Sequence, residues 1–205
     1  QNSTVVVSSF TSDDFYGLLE NGEGEADGTE DIGIGRFPVS DTIQAGIMVS
    51  KVARYLDAGS TGSWRNQICI TADDGDGNTH LLDAEGLSSV IENEWPTFIV
   101  NKIYLDAFRQ VNSVNGKSYP DVNTAIHDRI NSGCLIFNYV GHGNETGLSS
   151  ERVVKTEDIN SWKNKTKLPL FITATCEFSR FDDVELNSQT MDYSQKNSAG
   201  EMVLL

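Results

Sequence analysis

From residue 63 onward the chain alternates between short apolar runs and longer segments with helical periodicity. Four apolar runs predict strands, at 67–72, 98–105, 134–140 and 168–175, and the first of them is predicted to be buried. Apolar residues spaced three and four apart predict helices between them, at 83–95 and 120–133, with a short helix at 156–162. Strands that are apolar on both faces and alternate with helices are typical of parallel sheets. The pattern therefore predicts an α/β fold, with a parallel sheet flanked by helices.

Nearer the N-terminus the pattern is less regular. Residues 5–7 and 32–37 are rich in apolar residues and predict strands. The segment 20–31 between them is rich in glycine and acidic residues, which predicts a solvated loop.

A helix is predicted next, with Ser40 or Asp41 as its N-cap and a glycine as its end. Its apolar positions recur at three and four residues, and they are Ile43, Ile47, Met48, Val52, Tyr55 and Leu56. The run 59–63 that follows contains only Gly, Ser and Thr, so it predicts a domain boundary. Residues 1–62 would then form the C-terminal part of an N-terminal subdomain, and residues 63–205 would form a second subdomain.

The charge balance argues against one class of function, the binding of nucleic acid. The chain has 15 Lys and Arg residues against 30 Asp and Glu residues, which gives a formal net charge of −15. Binding to nucleic acid requires basic residues that displace counterions from phosphates, so this surplus of acid argues against it. No segment approaches the ~20 consecutive apolar residues of a membrane-spanning helix. The 38% of hydrophobic residues is enough to form a packed core.

Three of the predicted strands run directly into residues with reactive or ionisable side chains. The first strand is followed by Asp73 and Asp74. The third is followed by His142, which lies between two glycines, and the fourth by Cys176. Ligands of parallel sheets bind beyond the carboxyl ends of the strands, so we expect these side chains to meet at one edge. The sequence therefore predicts a site that contains a thiol, an imidazole and a carboxylate.

This combination suits nucleophilic catalysis. Cys176 would attack as a thiolate after His142 has taken its proton. A carboxylate, Asp73 or Asp74, would hold the imidazole ring and stabilise its charged form. Gly143 has no side chain, so its N–H group and that of Cys176 would form an oxyanion hole worth about 3 kcal/mol per donor.

The same residues also have a simpler interpretation. Free cysteines are usually buried as small apolar residues, which is how we interpret Cys69 and Cys134, and Cys176 would also suit that role. The Gly-His-Gly run would suit a tight turn. His80 and His127 occur in no pattern that supplies a partner, so they are predicted at the surface.

The acidic run after the first strand has a second interpretation, as a calcium loop. Oxygen-bearing side chains occur at alternate positions, and a glutamate follows at the distance of the last EF-hand ligand. The candidate calcium ligands are Asp74, Asp76, Asn78 and Glu85. Thr79 stands where an EF-hand has glycine, and a strand precedes the loop, so a solvated polar loop is the alternative. If the loop binds a metal, Asp73 becomes the better partner for His142.

Two segments of the chain resemble the catalytic segments of the gingipain-like cysteine peptidases. Residues 138–146, Asn-Tyr-Val-Gly-His-Gly-Asn-Glu-Thr, resemble the segment of the catalytic histidine. Residues 168–176, Leu-Pro-Leu-Phe-Ile-Thr-Ala-Thr-Cys, resemble the strand that leads to the nucleophile. Residues 12–17 and 32–37 resemble segments that precede the catalytic unit in that family. The resemblance implies a caspase-like fold for the second subdomain.

By position, the resemblance assigns Cys176 as the nucleophile, His142 as the base and Gly143 as an oxyanion donor. It assigns Asp73 or Asp74 as the orienting acid. It implies a polypeptide substrate and no required cofactor. Structural calcium stays an option on the basis of the acidic run alone.

Within the family, residues 72–75, 102–106 and 173–176 are most similar to the sortase-like members that serve the bacterial type IX secretion system. That similarity implies cleavage of C-terminal sorting domains from secreted proteins and transfer of the cargo to a lipopolysaccharide anchor. It also implies type IX secretion components as partners and an extracytoplasmic, outer-membrane location. Because the chain ends soon after Cys176, we expect its catalytic domain to be incomplete at the C-terminus, which leaves open whether this piece is active alone. The rival hypothesis is a non-catalytic docking domain of the same fold, stabilised by calcium.

Overall fold

The computed structural model describes residues 12–24, 28–114, 116–187, 189 and 192–205. Within these residues the α-helices are α1 (Thr42–Leu56), α2 (Thr79–Glu94), α3 (Pro120–Ser132), α4 (Thr156–Ser161) and α5 (Ala199–Leu204). The strands are β1 (Gln67–Ala72), β2 (Ile99–Tyr104), β3 (Val111–Ser113), β4 (Gly116–Ser118), β5 (Ile136–Val140), β6 (Gly143–Asn144), β7 (Gly147–Leu148), β8 (Val154–Lys155), β9 (Leu170–Ala174), β10 (Val184–Asn187) and β11 (Asp192–Gln195). The strand predicted at 5–7 lies outside the described residues.

The centre of the fold is a four-stranded parallel sheet in the order β2-β1-β5-β9. These are the four strands that the apolar runs predict, with small differences at their ends. Alternate residues of β1 face opposite sides of the sheet, so Ile68 and Ile70 pack with Ala84 of α2. Cys69 packs on the other side with Ile126 of α3. The predicted α/β fold, with helices on both faces of a parallel sheet, is confirmed.

The helix ends follow local signals in the sequence. Asp41, the second of the two predicted caps, accepts the N–H of Gln44 at 2.8 Å and so begins α1. Pro120 occupies the first turn of α3, where its missing N–H costs no hydrogen bond. Gly133 ends that helix with a φ of +93°, which favours glycine. Helix α2 begins at Thr79, earlier than predicted, because it follows directly on a turn at Asp76–Asn78.

The strand predicted at 32–37 is wrong, because this segment has no regular secondary structure. Its glycines have no side chains to pack on a neighbouring strand. A tertiary contact fixes the segment instead, since Arg36 donates two hydrogen bonds to the carboxylate of Asp13. The same guanidinium lies 4.6 Å from the centre of the Phe181 ring. The segment is therefore attached to the region that follows Cys176.

Helix α1 lies beside α5 at the C-terminal end of the chain. The ammonium group of Lys51 donates to the carbonyl oxygens of Val203 and Leu204, at 3.1 and 2.6 Å. Burial lowers the pKa of this lysine. Of the predicted apolar face, Met48 is buried while Ile43 is 73% exposed. The amphipathic pattern of α1 is therefore only partly used in packing within the described residues.

The predicted domain boundary at 59–63 contains Ser60, whose hydroxyl donates to the carbonyl oxygen of Thr166 at 2.7 Å. The division into two subdomains at this run stays a prediction. Among the described helices, none combines the length and the apolar character that crossing a membrane requires.

Candidate active site

The sheet brings His142 and Cys176 to the same edge. Strands β5 and β9 are parallel neighbours, and Val140 at the end of β5 is the register partner of Ala174 at the end of β9. The N–H of Gly141 continues this pairing by donating to the carbonyl oxygen of Ala174 at 3.2 Å. His142 and Cys176 therefore occupy equivalent positions beyond two strands that lie about 4.8 Å apart. Their roles in catalysis stay predictions, and the register shows that both residues leave the sheet at the same edge, as those roles require.

Cys176 differs from the other two cysteines in its exposure. It is exposed, whereas Cys69 and Cys134 are fully buried in the core, as predicted. Burial raises the pKa of each core thiol to about 12. Because the thiolate is the reactive form, these two thiols are inert at neutral pH.

We expect a thiol-specific reagent to modify one of the three cysteines rapidly in the native protein at about pH 8, and all three in denaturant. A chromogenic disulfide reagent provides the count. The variant Cys176→Ala should lose the rapid phase, and Cys69→Ala should keep it. Rapid modification of two or three thiols, or a rapid phase that survives Cys176→Ala, would contradict this assignment.

The backbone of His142 is held on both sides by buried groups. The carboxylate of Asp73, only 3% exposed, accepts the N–H of His142 at 3.0 Å. The hydroxyl of Tyr139 donates to the carbonyl oxygen of His142 at 2.7 Å. Burial, and then the nearby carboxylate of Asp73, raise the pKa of Tyr139, so its hydroxyl remains a donor. Asp73 thus orients the histidine through its main chain and not through its ring.

The two glycines beside His142 permit close contacts. A Cβ at Gly141 would lie 2.3 Å from the Cβ of Asp73, and the φ of this glycine is +153°. A Cβ at Gly143 would lie 2.5 Å from the Oγ1 of Thr175, the residue before the cysteine. Ser149 donates its N–H to the carbonyl oxygen of His142, which makes Gly143 and its partner in β7 a non-hydrogen-bonded pair. The N–H of Gly143 therefore points away from β7, as an oxyanion donor requires.

The imidazole ring of His142 contacts the carboxylate of Asp76, and not that of Asp73 or Asp74, the two residues predicted to orient it. Its Nε2 lies 2.5 Å from Oδ2 of Asp76, and both side chains are about half exposed, at 56% and 51%. Consecutive positive φ angles at residues 75–78 turn the loop after β1 back toward β5 and carry Asp76 to the ring. Two residues were predicted to orient the ring. Asp73 accepts a hydrogen bond from the main chain of His142, and Asp74 accepts one from Tyr119 instead.

Asp74 belongs to a group of acids behind the histidine. Its Oδ2 accepts a hydrogen bond from the hydroxyl of Tyr119 at 2.8 Å. Burial, and then this hydrogen bond, raise the pKa of Tyr119. Glu151 lies close to Asp73 and Asp74 and accepts a hydrogen bond from Ser149 at 2.8 Å. The three carboxylates therefore all accept hydrogen bonds, and that of Asp73 accepts the main-chain N–H of His142.

The predicted calcium ligands do not converge. Glu85 lies on α2 and accepts hydrogen bonds from Lys102 and Tyr104 of β2, at 2.8 and 2.9 Å, which lower its pKa. Asp74 faces Tyr119, and Asp76 faces His142. An EF-hand needs all of its carboxylates around one ion, and here the turn of the loop separates them. The loop thus gives no structural support to a calcium-stabilised docking domain.

The chain segment after Cys176 is tied to the segment after His142. The carboxylate of Glu145 accepts hydrogen bonds from Arg180 at 3.2 Å and from Lys196 at 2.8 Å. Its carbonyl oxygen accepts the N–H of Ala199 at the start of α5. These contacts bracket both reactive residues and limit the movement of one against the other.

Sequence reasoning missed two residues of the site as partners of the imidazole. Asp76 appeared only as a calcium ligand, and His80 was assigned to the surface. His80 is the second residue of α2. The centre of its ring lies 5.1 Å from the centre of the His142 ring, and the two ring planes are at 90°. No local pattern marked this pair, because Asp76 lies in the turn before α2, where positive φ angles at 75–78 make helical spacing inapplicable.

Comparison with known proteins agrees with this geometry. The model of peptidase family C25 matches residues 1–205. No curated protein matches the chain. Its structure is similar to that of the Arg-specific cysteine proteinase gingipain R (RgpB), with a TM-score of 0.70 and 18% sequence identity over 95% of this chain and 40% of that one.

A complex of the pro- and mature domains of RgpB from Porphyromonas gingivalis matches with a TM-score of 0.68 at 18% identity, over 95% of this chain and 41% of that one. A further protease structure matches with a TM-score of 0.53 at 18% identity, over 77% and 30% of the two chains. These structures share the caspase-like fold, and the chain spans about 40% of the length of the gingipain chain. Since the family model extends over every residue of the sequence, this chain belongs to peptidase family C25.

Proposed function

We propose that this chain provides the nucleophile and the base of a cysteine peptidase. The observation that supports this most directly is the equivalent placement of His142 and the exposed Cys176 beyond adjacent parallel strands. Buried thiols elsewhere in the described chain are unsuited to the reaction, because they stay protonated.

The residues act in the following order in this proposal. His142 takes the thiol proton of Cys176, and the thiolate attacks the carbonyl carbon of a peptide bond. The N–H groups of Gly143 and Cys176 stabilise the resulting oxyanion. The protonated imidazole then gives its proton to the leaving amine as the C–N bond breaks, which leaves a thioester on Cys176. Water, activated by the same imidazole, hydrolyses the thioester and restores the thiol.

Asp76 is the residue that we assign to the ring of His142. Its contact with Nε2 leaves Nδ1 for the thiol proton and stabilises the charged imidazole. Asp73 and Tyr139 position the same residue through its main chain. Two independent sets of contacts thus act on the base, one on the backbone and one on the ring.

The test is covalent labelling by a peptide that carries an electrophilic ketone. In the intact protein, we expect mass spectrometry to find one adduct, on Cys176. The variant Cys176→Ala should take no label, while the core variant Cys69→Ala should label like the wild type. An adduct that persists in Cys176→Ala would overturn the assignment of the nucleophile.

For the finer function we propose a PorU-type sortase of the type IX secretion system. The similarity of residues 72–75, 102–106 and 173–176 to that branch supports it. The substrates would be the C-terminal sorting domains of secreted proteins, and the location would be extracytoplasmic, at the outer membrane. An amine would then compete with water for the thioester. Adding a primary amine should divert the acyl product from acid to amide, whereas an unchanged acid product would favour a simple peptidase.

A further inference from the structure

Asp76, His80 and His142 form a cluster that the peptidase chemistry does not fully use. One ligand atom from each residue can be chosen so that all three lie within 4.8 Å of one another. We propose that these residues bind a divalent transition-metal ion such as Zn²⁺, and that the bound ion withholds His142 from catalysis. The inhibitory part of this inference rests on the proposed function, whereas the binding site does not.

The distances within the cluster are close to those of a metal site. A tetrahedral ion with bonds of about 2.0–2.1 Å holds its ligand atoms roughly 3.3 Å apart. Oδ2 of Asp76 lies 2.5 Å from Nε2 of His142 and 3.8 Å from Nδ1 of His80. Each distance needs to change by less than about 1 Å. The half-exposed side chains of Asp76 and His142 have room for this adjustment.

The state of His80 points independently to a ligand. Its Nδ1 is buried, and among the described residues it finds no hydrogen-bond partner. Its distance to Asp76 is too long for a hydrogen bond. Buried polar atoms are normally paired, because losing contact with water without a replacement costs free energy. A metal ion in the cluster would satisfy this nitrogen, which is aimed at the same carboxylate oxygen as His142.

The donor atoms select the class of ion. Two imidazole nitrogens and one carboxylate oxygen suit Zn²⁺ and its first-row neighbours, whereas Ca²⁺ and Mg²⁺ prefer oxygen ligands throughout. Three protein ligands leave a position for water. The imidazole of His142 would bind through Nε2 and carry its one proton on Nδ1, so it could not accept the thiol proton. Removal of the ion would return the base to the enzyme.

The binding test uses the chain's third histidine as a matched control. His127 is held by Ser161 and Asn131, away from the cluster. Competition with a chromophoric chelator should show one Zn²⁺ per chain, with a Kd that rises at least about tenfold in His80→Gln and in Asp76→Asn. His127→Gln and Cys176→Ala should bind like the wild type. Absence of stoichiometric binding would overturn the site, as would an unchanged Kd in His80→Gln or an equal loss in His127→Gln.

The same samples separate this inference from the proposed function. Saturating Zn²⁺ should slow peptide-ketone labelling of Cys176 at least about tenfold, and a chelator should restore it. Labelling that is indifferent to saturating Zn²⁺ would overturn the inhibitory part. If Zn²⁺ binds as expected but no labelling occurs even with chelator, the metal site stands and the peptidase proposal fails. If labelling occurs but Zn²⁺ does not bind, the metal site fails and the peptidase proposal stands.

Discussion

Replacing His142 by alanine is expected to lower kcat/KM for a peptide substrate by about 10⁴-fold or more, because base and nucleophile act as one unit. Without the imidazole, the group that we propose as the acceptor of the thiol proton of Cys176 is gone. The variant should also lose the limb of the pH–rate profile that reports the base. The measurement is steady-state turnover across a pH series with the intact protein.

Two further variants serve as comparisons for His142→Ala. His127→Ala removes a histidine that bonds only with Ser161 and Asn131 in the described contacts, so its kcat/KM should stay within about twofold of the wild type. Asp76→Asn should cost about 10- to 100-fold, because its contact with the ring is half exposed and water replaces part of it. Activity of His142→Ala within tenfold of the wild type would remove this residue from the mechanism.

Replacing Gly141 by alanine is expected to destabilise the native state by about 3 kcal/mol or more, which is a large effect for one methyl group. The new Cβ would lie 2.3 Å from the Cβ of Asp73 and 2.8 Å from the hydroxyl of Tyr139. Both neighbours are buried and hydrogen-bonded to His142, so neither moves without breaking a contact. The positive φ of Gly141 adds strain for any residue with a side chain. Chemical denaturation measures the free energy of unfolding.

The control is a glycine on a helix, with free space around it. Gly86 is exposed on α2, and no heavy atom lies within 4 Å of its added Cβ. Gly86→Ala should therefore stabilise the protein by about 0.5–1 kcal/mol, as expected for a helix interior. A loss below about 1 kcal/mol in Gly141→Ala would show that the turn relaxes and that the close approach to Asp73 is not required.

The central sheet was predictable because its signals are local. Each strand is an apolar run bounded by turn or helix signals, and the prediction of four parallel strands was correct. The edge at which His142 and Cys176 appear follows from the same pattern. Side chains that directly follow parallel strands leave the sheet at its carboxyl edge, whatever the order of the strands.

The partner of the imidazole was not predictable in the same way. Asp73, Asp74 and Asp76 all follow β1, and the sequence offers no local reason to prefer one of them. The choice depends on the left-handed turn at 75–78 and on the position of β5 beside β1. The wrong prediction of a strand at 32–37 has a similar cause. A strand forms only beside a partner strand, and this segment is held instead by the hydrogen bonds of Arg36 to Asp13.

The sequence by itself determined which segments form the central strands, that these strands run parallel, and which three residue types leave the sheet at one edge. Only the tertiary structure decided that Asp76 meets the ring of His142, 66 residues away, and that Asp73 holds its backbone. Burial and turn formation depend on residues a few positions apart, and their patterns are visible in the chain. A contact between distant side chains depends on strand order and loop path, which arise only when the whole sheet is packed.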